Sequence, residues 1–233
     1  QKYNLAKNKS YSNYAFYLRA TNSNISELEK ADYSKIPGVK VFMGASTGDL
    51  LVDDDSALED IFFKIPKLIA VHAEDQAIID ENTEQIKETY KNVNPNEVPF
   101  DVHPVIRSEE ACYNSTLKAV ELAQKYETRL HLLHLSTAKE LELLTDKEPI
   151  DKKMITAEVC VPHLWFTLDD FESKKGLIKC NPSVKTKEDR ERLRRALKMG
   201  LIDIVATDHA PHTLEEKNNP YFMCPSGMPS IQH

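Results

Sequence analysis

The chain predicts an α/β fold built on a parallel sheet, and three observations carry that expectation. Apolar, strand-like runs alternate with amphipathic, helix-like runs along nearly all of the 233 residues. Several strand-like runs end abruptly in a side chain that can bind a metal ion or carry a proton. No glycine-rich phosphate loop follows the first strand, which weighs against a nucleotide-binding version of the fold. Six strands can be counted. They fit either a doubly wound sheet or an incomplete eight-stranded barrel.

The elements follow in order. Residues 13–21 (NYAFYLRAT) read as a strand, and 25–31 as a short helix with Ser23 or Asn24 as its cap. Residues 38–44 (GVKVFMG) form the second strand, 56–65 (SALEDIFFKI) a helix and 68–72 the third strand. A helix over 76–90 leads into 92–107, where Pro95, Pro99 and Pro104 predict a loop. The run 108–126 has apolar positions at helical spacing. Strand 130–135, helix 138–144, strand 154–161 and short helix 168–173 come next. Residues 186–199 are helical, with Thr186 and Asp189 spaced close to a capping box. Strand 202–207 closes the series.

Bulk properties exclude several classes of function. Hydrophobic content of 41% with 29% charged residues is an ordinary globular balance. The net charge of −7 argues against a nucleic-acid partner. The mixed charges over 185–198 (KTKEDRERLRRALK) read as a solvated helix face. No apolar run approaches the ~20 residues of a membrane span, and the polar N-terminus is no signal peptide. Cys112, Cys160, Cys180 and Cys224 are scattered without a CxxC pair. They read as inert thiols of a reducing cytoplasm rather than a cysteine zinc site. The chain starts at Gln1 and stops after CPSGMPSIQH, as though cut from a longer polypeptide at both ends.

The chemistry lies at the strand tips. Residues 204–212 (IVATDHAPH) deliver Asp208, 68–75 (LIAVHAED) deliver His72, and 130–137 (LHLLHLST) deliver His134. Lys40 sits within the apolar VKVFM. Its ammonium could snorkel to solvent. Beside two imidazoles and a carboxylate, the sharper reading is that Lys40 points inward. There, burial lowers its pKa and a neutral amine can form a bridging carbamate. His131 and His134 face opposite sides of a strand, so His134 is the ligand and His131 packs or supports. Imidazole and carboxylate ligands suit zinc, with manganese or cobalt as alternatives. A water on such a metal has a pKa near ~7, which is hydrolytic chemistry. Glu158 reads as a structural partner, His163 as a residue of the barrel rim, and His103 as structural or exposed. Trp165, Phe62 and Phe63 are expected in the core.

Lys40 in its strand, His72 in VHAED, His134 in HLLHLST and Asp208 in ATDHAPH together resemble the amidohydrolase superfamily. Within it they look most like dihydroorotases. Arg107-Ser108-Glu109-Glu110-Ala111-Cys112, Asn181-Pro182 and Gly227-Met228-Pro229 add to the likeness. The resemblance implies a (β/α)8 TIM barrel of the metal-dependent hydrolase type. Strands three to eight would lie in residues 1–233, without the first strands and a small β-sandwich. It implies two zinc ions bridged by an N6-carboxylated Lys40. His72 and His134 would bind the second ion, and Asp208 the first while shuttling protons. Asn181 and His212 would hold the substrate.

The implied reaction is the reversible cyclisation of N-carbamoyl-L-aspartate to dihydroorotate in pyrimidine synthesis. It implies a cytoplasmic enzyme with a small-molecule substrate, and a homodimer is compatible with it. The chain also departs from the family. It has no His-x-His pair, lacks the arginine that accompanies it, and carries Pro182-Ser183-Val184-Lys185 where Pro-Pro-Leu-Arg is usual. Two other readings stand beside this one: a hydantoinase or dihydropyrimidinase, and a non-catalytic dihydroorotase-like assembly subunit.

Overall fold

The computed structural model describes residues 2–44 and 51–233. Its centre is one six-stranded sheet in which every neighbouring pair runs parallel and the spatial order is the chain order. The strands are β1 (Leu18–Arg19), β2 (Gly38–Phe42), β3 (Leu68–His72), β4 (Leu130–Leu132), β5 (Ile155–Cys160) and β6 (Ile204–Ala206). Sequential parallel order with helical crossovers is barrel winding, because a doubly wound sheet reverses its strand order midway. The sheet is therefore an arc of a (β/α)8 barrel. Ile204 and Val205 on the edge strand β6 are exposed.

Helices flank the strands along the chain. They are α1 (Lys2–Ala6), α2 (Ile25–Leu28), α3 (Asp55–Lys64), α4 (Gln76–Thr89), α5 (His103–Ile106), α6 (Glu109–Lys125), α7 (Val161–Trp165), α8 (Phe171–Lys174), α9 (Lys187–Lys198) and α10 (Leu214–Lys217). Their starts follow local chemistry. Asp54 accepts from Ala57 N, Asp75 from Ala77 N and Ile78 N, and Ser108 from Ala111 N. Thr186 and Asp189 form the full reciprocal box at the head of α9. Asn24 occupies the cap position of α2 without capping it. Its side chain turns back to accept from Thr21 N instead.

Packing separates the two faces of the sheet. Val39, Val41, Ile69, Val71, Leu130, Leu132, Ala157 and Val159 join one buried cluster with Leu58, Ile61 and Phe62 of α3, Ala119 and Val120 of α6, and Leu193 of α9. Alternation then sends Lys40, Phe42, His72, His131, Glu158 and Cys160 to the opposite, inner face. Burying each large aliphatic of the outer layer contributes roughly 1.5–3 kcal/mol. The apolar packing of the sheet therefore rests on the outer layer, and the inner face is free to carry polar groups.

Several expectations need correction. The stretch 92–107 is no plain loop: it contains 3₁₀ turns at Pro95–Glu97 and Phe100–Val102, followed by α5. Phe62 is buried at 1% exposure, but Phe63 is 67% exposed. Adjacent helical residues point about 100° apart, so one of the pair faces water. Trp165 is also 67% exposed, at the end of the five-residue α7. Lys185 is buried rather than solvated, donating to Ser183 O at 3.0 Å and lying 3.4 Å from Ser136 Oγ. Helix 138–144 is a 3₁₀ turn over Lys139–Leu143. Helices α1, α7 and α10 carry too little periodicity to be read from sequence. All four cysteines are buried and free, as expected.

Candidate active site

The functional side chains project from the C-terminal tips of the strands. Met43 N to His72 O, Leu133 N to Val71 O and Leu135 N to Glu158 O carry the pairing beyond the regular strands. The tips are thereby held where loops begin. His134 and Asp208 each adopt a left-handed backbone, with φ of 41° and 45°. Non-glycine residues enter that region at a conformational cost, and such strain gathers at functional positions.

The best-defined contact is between His72 and His134. Both are buried, and His72 Nδ1 lies 3.0 Å from His134 Nε2 with the rings edge to face. Burial lowers the pKa of both, that of His134 strongly, so both are neutral imidazoles. Behind His72 stands Glu74, fully buried, with Oε2 3.0 Å from His72 Nε2. That is ion-pair distance, although its alignment falls short of a formed hydrogen bond. Arg107 Nη1 contacts the same Glu74 oxygen. Burial alone would raise the Glu74 pKa; the Arg107 and His72 partners bring it down to about 2. An anionic Glu74 favours the proton on His72 Nε2 and turns the Nδ1 lone pair towards His134. This is the carboxylate–histidine arrangement that orients a metal ligand.

Lys40 sits on the inner face in register with Ala70, which pairs in turn with His131. Its Nζ lies 4.5 Å from the centre of the Phe42 ring. Burial lowers its pKa to about 8, against the opposing pull of Asp208, Glu158 and Cys160. The inward reading therefore fits better than snorkelling. Asp208 has its pKa raised by burial while His72 and Lys40 draw it down. Its side chain is an electrostatic neighbour of His72, Lys40 and Glu158, at a position the barrel arc leaves exposed. Among the described residues, no group of three or more His, Cys, Asp or Glu side chains converges closely enough to hold an ion as it stands. The two imidazoles meet, and Lys40 and Asp208 remain electrostatic neighbours.

His131 donates or accepts at 2.9 Å with Thr156 Oγ1 and lies 3.1 Å from Glu158 Oε2, which makes it a support within the barrel. Asn181 precedes a cis Pro182, and its buried Oδ1 has no partner among the described residues. His212 is half-buried, with Nε2 3.2 Å from Ser226 O and Nδ1 3.5 Å from Glu216. Gly227, at φ 136°, passes so close that a Cβ there would lie 2.4 Å from Ala210 O. The Gly227-Met228-Pro229 segment can approach the Asp208–His212 loop only without a side chain at that position. A cavity of about 590 Å³ opens beside His212, between Trp165, Phe166, Leu177 and Leu214.

The donor set fits a divalent metal. Two neutral imidazoles bring ring nitrogens to 3.0 Å of each other, one N–H donating to the other ring's lone pair, and both nitrogens are of the kind that ligates zinc once deprotonated on that side. The buried carboxylate behind His72 supplies the outer support. Sequence reasoning missed Glu74 and Arg107 as partners because 33 positions separate them. The one signal was Glu74 in VHAED, two residues beyond the ligand.

No family model matches the chain. Among curated proteins it is similar to the dihydroorotase of Pyrococcus horikoshii, at 36% identity over 91% of this chain and 41% of that protein. It is 32% identical to the dihydroorotase of Pyrococcus furiosus, over 91% of this chain and 42% of that one. Among solved structures, the L-hydantoinase (dihydropyrimidinase) of Arthrobacter aurescens covers 99% of the chain with a TM-score of 0.87 at 25% identity, over 52% of its own length. The Saccharomyces cerevisiae dihydroorotase, in complex with 5-fluoroorotic acid, shares the fold with a TM-score of 0.70, over 98% of this chain and 61% of that one. The chain spans about two fifths of the length of the Pyrococcus relatives.

Over nearly its whole length the chain is similar to proteins of the amidohydrolase superfamily. Within that superfamily its sequence relatives are dihydroorotases.

Proposed function

We propose that this chain is the metal-binding part of a longer barrel enzyme, a dihydroorotase that interconverts N-carbamoyl-L-aspartate and dihydroorotate. The His72–His134 contact at the strand tips, backed by buried Glu74, is the observation that carries the reading. His72 and His134 would hold one zinc ion, Asp208 the other, and Lys40, as its carbamate, both. When bound, the metal pair supplies Lewis-acid polarisation of the amide carbonyl and a water of lowered pKa. The depressed Lys40 pKa keeps a usable fraction of free amine, which carbamate formation requires. Asp208, with its raised pKa, takes a proton from the attacking water and returns it to the leaving nitrogen. Asn181 Oδ1 accepts from a ring N–H, and His212 faces the substrate carboxylate. Arg107 and Glu74 hold the His72 ring in place throughout.

The substrate is a small soluble anion. No helix among the described residues is long and apolar enough to cross a membrane. The similarity to L-hydantoinase supports a second reading, a hydantoinase-like cyclic amidohydrolase. Turnover of dihydroorotate against dihydrouracil by the full-length protein separates the two. Preference for dihydroorotate supports the first reading, and preference for dihydrouracil refutes it.

A further inference from the structure

The segment around Asn181 is held in an unusual way. The carbonyl before it, Cys180 O, lies 2.9 Å from His103 Nε2. The carbonyl after it, Pro182 O, lies 2.9 Å from His163 Nε2. Both imidazoles are buried at 3% exposure or less, and they come from different elements, α5 and α7. A carbonyl only accepts, so each ring carries its proton on Nε2 and donates. Tyr221 Oη, 2.8 Å from His103 Nδ1, then donates to that nitrogen and fixes the tautomer. One residue earlier, Lys179 O accepts from Gly227 N at 2.8 Å and from Lys217 Nζ at 3.1 Å. These bonds tie the segment to the loop beside His212.

Within this frame the Asn181 Oδ1 is buried without a partner among the described residues. An orphaned acceptor inside a well-bonded segment has the form of a group awaiting a ligand N–H. Backbone carbonyls of an irregular segment ordinarily turn to solvent or to the next turn. Here two stiff rings capture them, and a ring has only two side-chain torsions to lose on being fixed. Turning the backbone at Asn181, between the 3₁₀ turn Lys175–Ile178 and the segment beyond Pro182, would break one of the two bonds.

We propose that His103 and His163 bracket Asn181 and set its side chain for recognition of the substrate ring amide, as positioning residues of the reaction proposed above. The inference rests on that reading for its substrate and on the two carbonyl contacts for its geometry. Replacing either histidine by Met removes the donor but keeps the bulk. Gln restores an N–H at a similar reach.

In the full-length enzyme, His163→Met is expected to raise KM for dihydroorotate about tenfold with kcat within about threefold, at unchanged metal content. His163→Gln recovers most of the loss. In an Asn181→Ala background, His163→Met changes KM no further, because the bracket acts through Asn181. Asparagine-selective ¹⁵N labelling reads the Asn181 side-chain amide without any substrate. Its resonance shifts in His103→Met and His163→Met and returns towards the native position in the Gln variants. An unmoved resonance in both Met variants overturns the bracket. So does an additive KM effect in the Asn181→Ala background, or a Gln variant as impaired as the Met variant. Absence of wild-type turnover of dihydroorotate, with the resonance shifts intact, overturns the functional reading and leaves the bracket standing.

Discussion

The two faces of the sheet share the same backbone and obey opposite rules. The outer face, Val39, Val41, Ile69, Val71, Leu130, Leu132, Ala157 and Val159, is aliphatic throughout and packs on helices. The inner face, offset by one residue, carries Lys40, His72, His131 and Glu158. Parallel strands buried on both sides usually read as unbroken apolar runs. Here the polar interruptions fall at alternate positions and at the strand tips. The difference teaches that stability and chemistry have been assigned to separate faces. A substitution can therefore strike one and spare the other.

The largest expected effect belongs to the inner face. Asp208→Ala in the full-length protein should lower kcat by roughly 10³-fold or more, with the thermal midpoint changed little, since a proton carrier and a metal ligand are lost together. Normal turnover in that variant contradicts the role. Next comes the support behind the ligand. Arg107→Met leaves the Glu74 carboxylate buried beside neutral His72 and should destabilise by about 3–5 kcal/mol. It should also weaken metal binding about 10–100-fold, by equilibrium dialysis. The outer face gives the mirror result. Leu130→Ala, at a fully buried position, should cost about 2–5 kcal/mol in denaturant unfolding while activity per folded molecule stays near wild type. Lost activity at full stability would merge the two faces again.

Acid reaches the buried imidazoles. His72, His103, His134 and His163 all have lowered pKa values, and that of His163 is about 4. In the unfolded chain these rings take up protons near pH 6.5, where the folded protein still excludes them. Stability is therefore full above pH ~6.5 and falls as the pH drops towards 4. Urea unfolding across that range measures it, and a flat profile would show the rings to be solvated. The smallest effect is outside both faces. Thr186→Ala removes the reciprocal cap of α9 and should cost about 0.5–2 kcal/mol with no change in KM.

Much of this was legible from the residues alone, for local reasons. Strand and helix alternation survives in sequence because period 2 and period 3.6 are written in neighbouring residues. Ser108 and the Thr186–Asp189 box announce helix starts because capping spans only three positions. Lys40, His72, His134 and Asp208 stood out as polar residues in apolar runs. What was hidden depends on distant pairing. Glu74 meets Arg107, and His103 meets Cys180, 77 positions apart. Lys185 lay in a run of mixed charge, yet folding carries it to Ser136. Trp165 reads as core by composition, but the short α7 leaves its ring at the surface.

The meeting of His72 and His134 is most directly tested by metal content. Full-length protein should retain about two divalent ions per chain after dialysis, and His134→Ala should lose about one of them while remaining folded. Wild-type protein that holds no metal, or a His134→Ala variant that keeps its full complement, would contradict a metal centre at these strand tips.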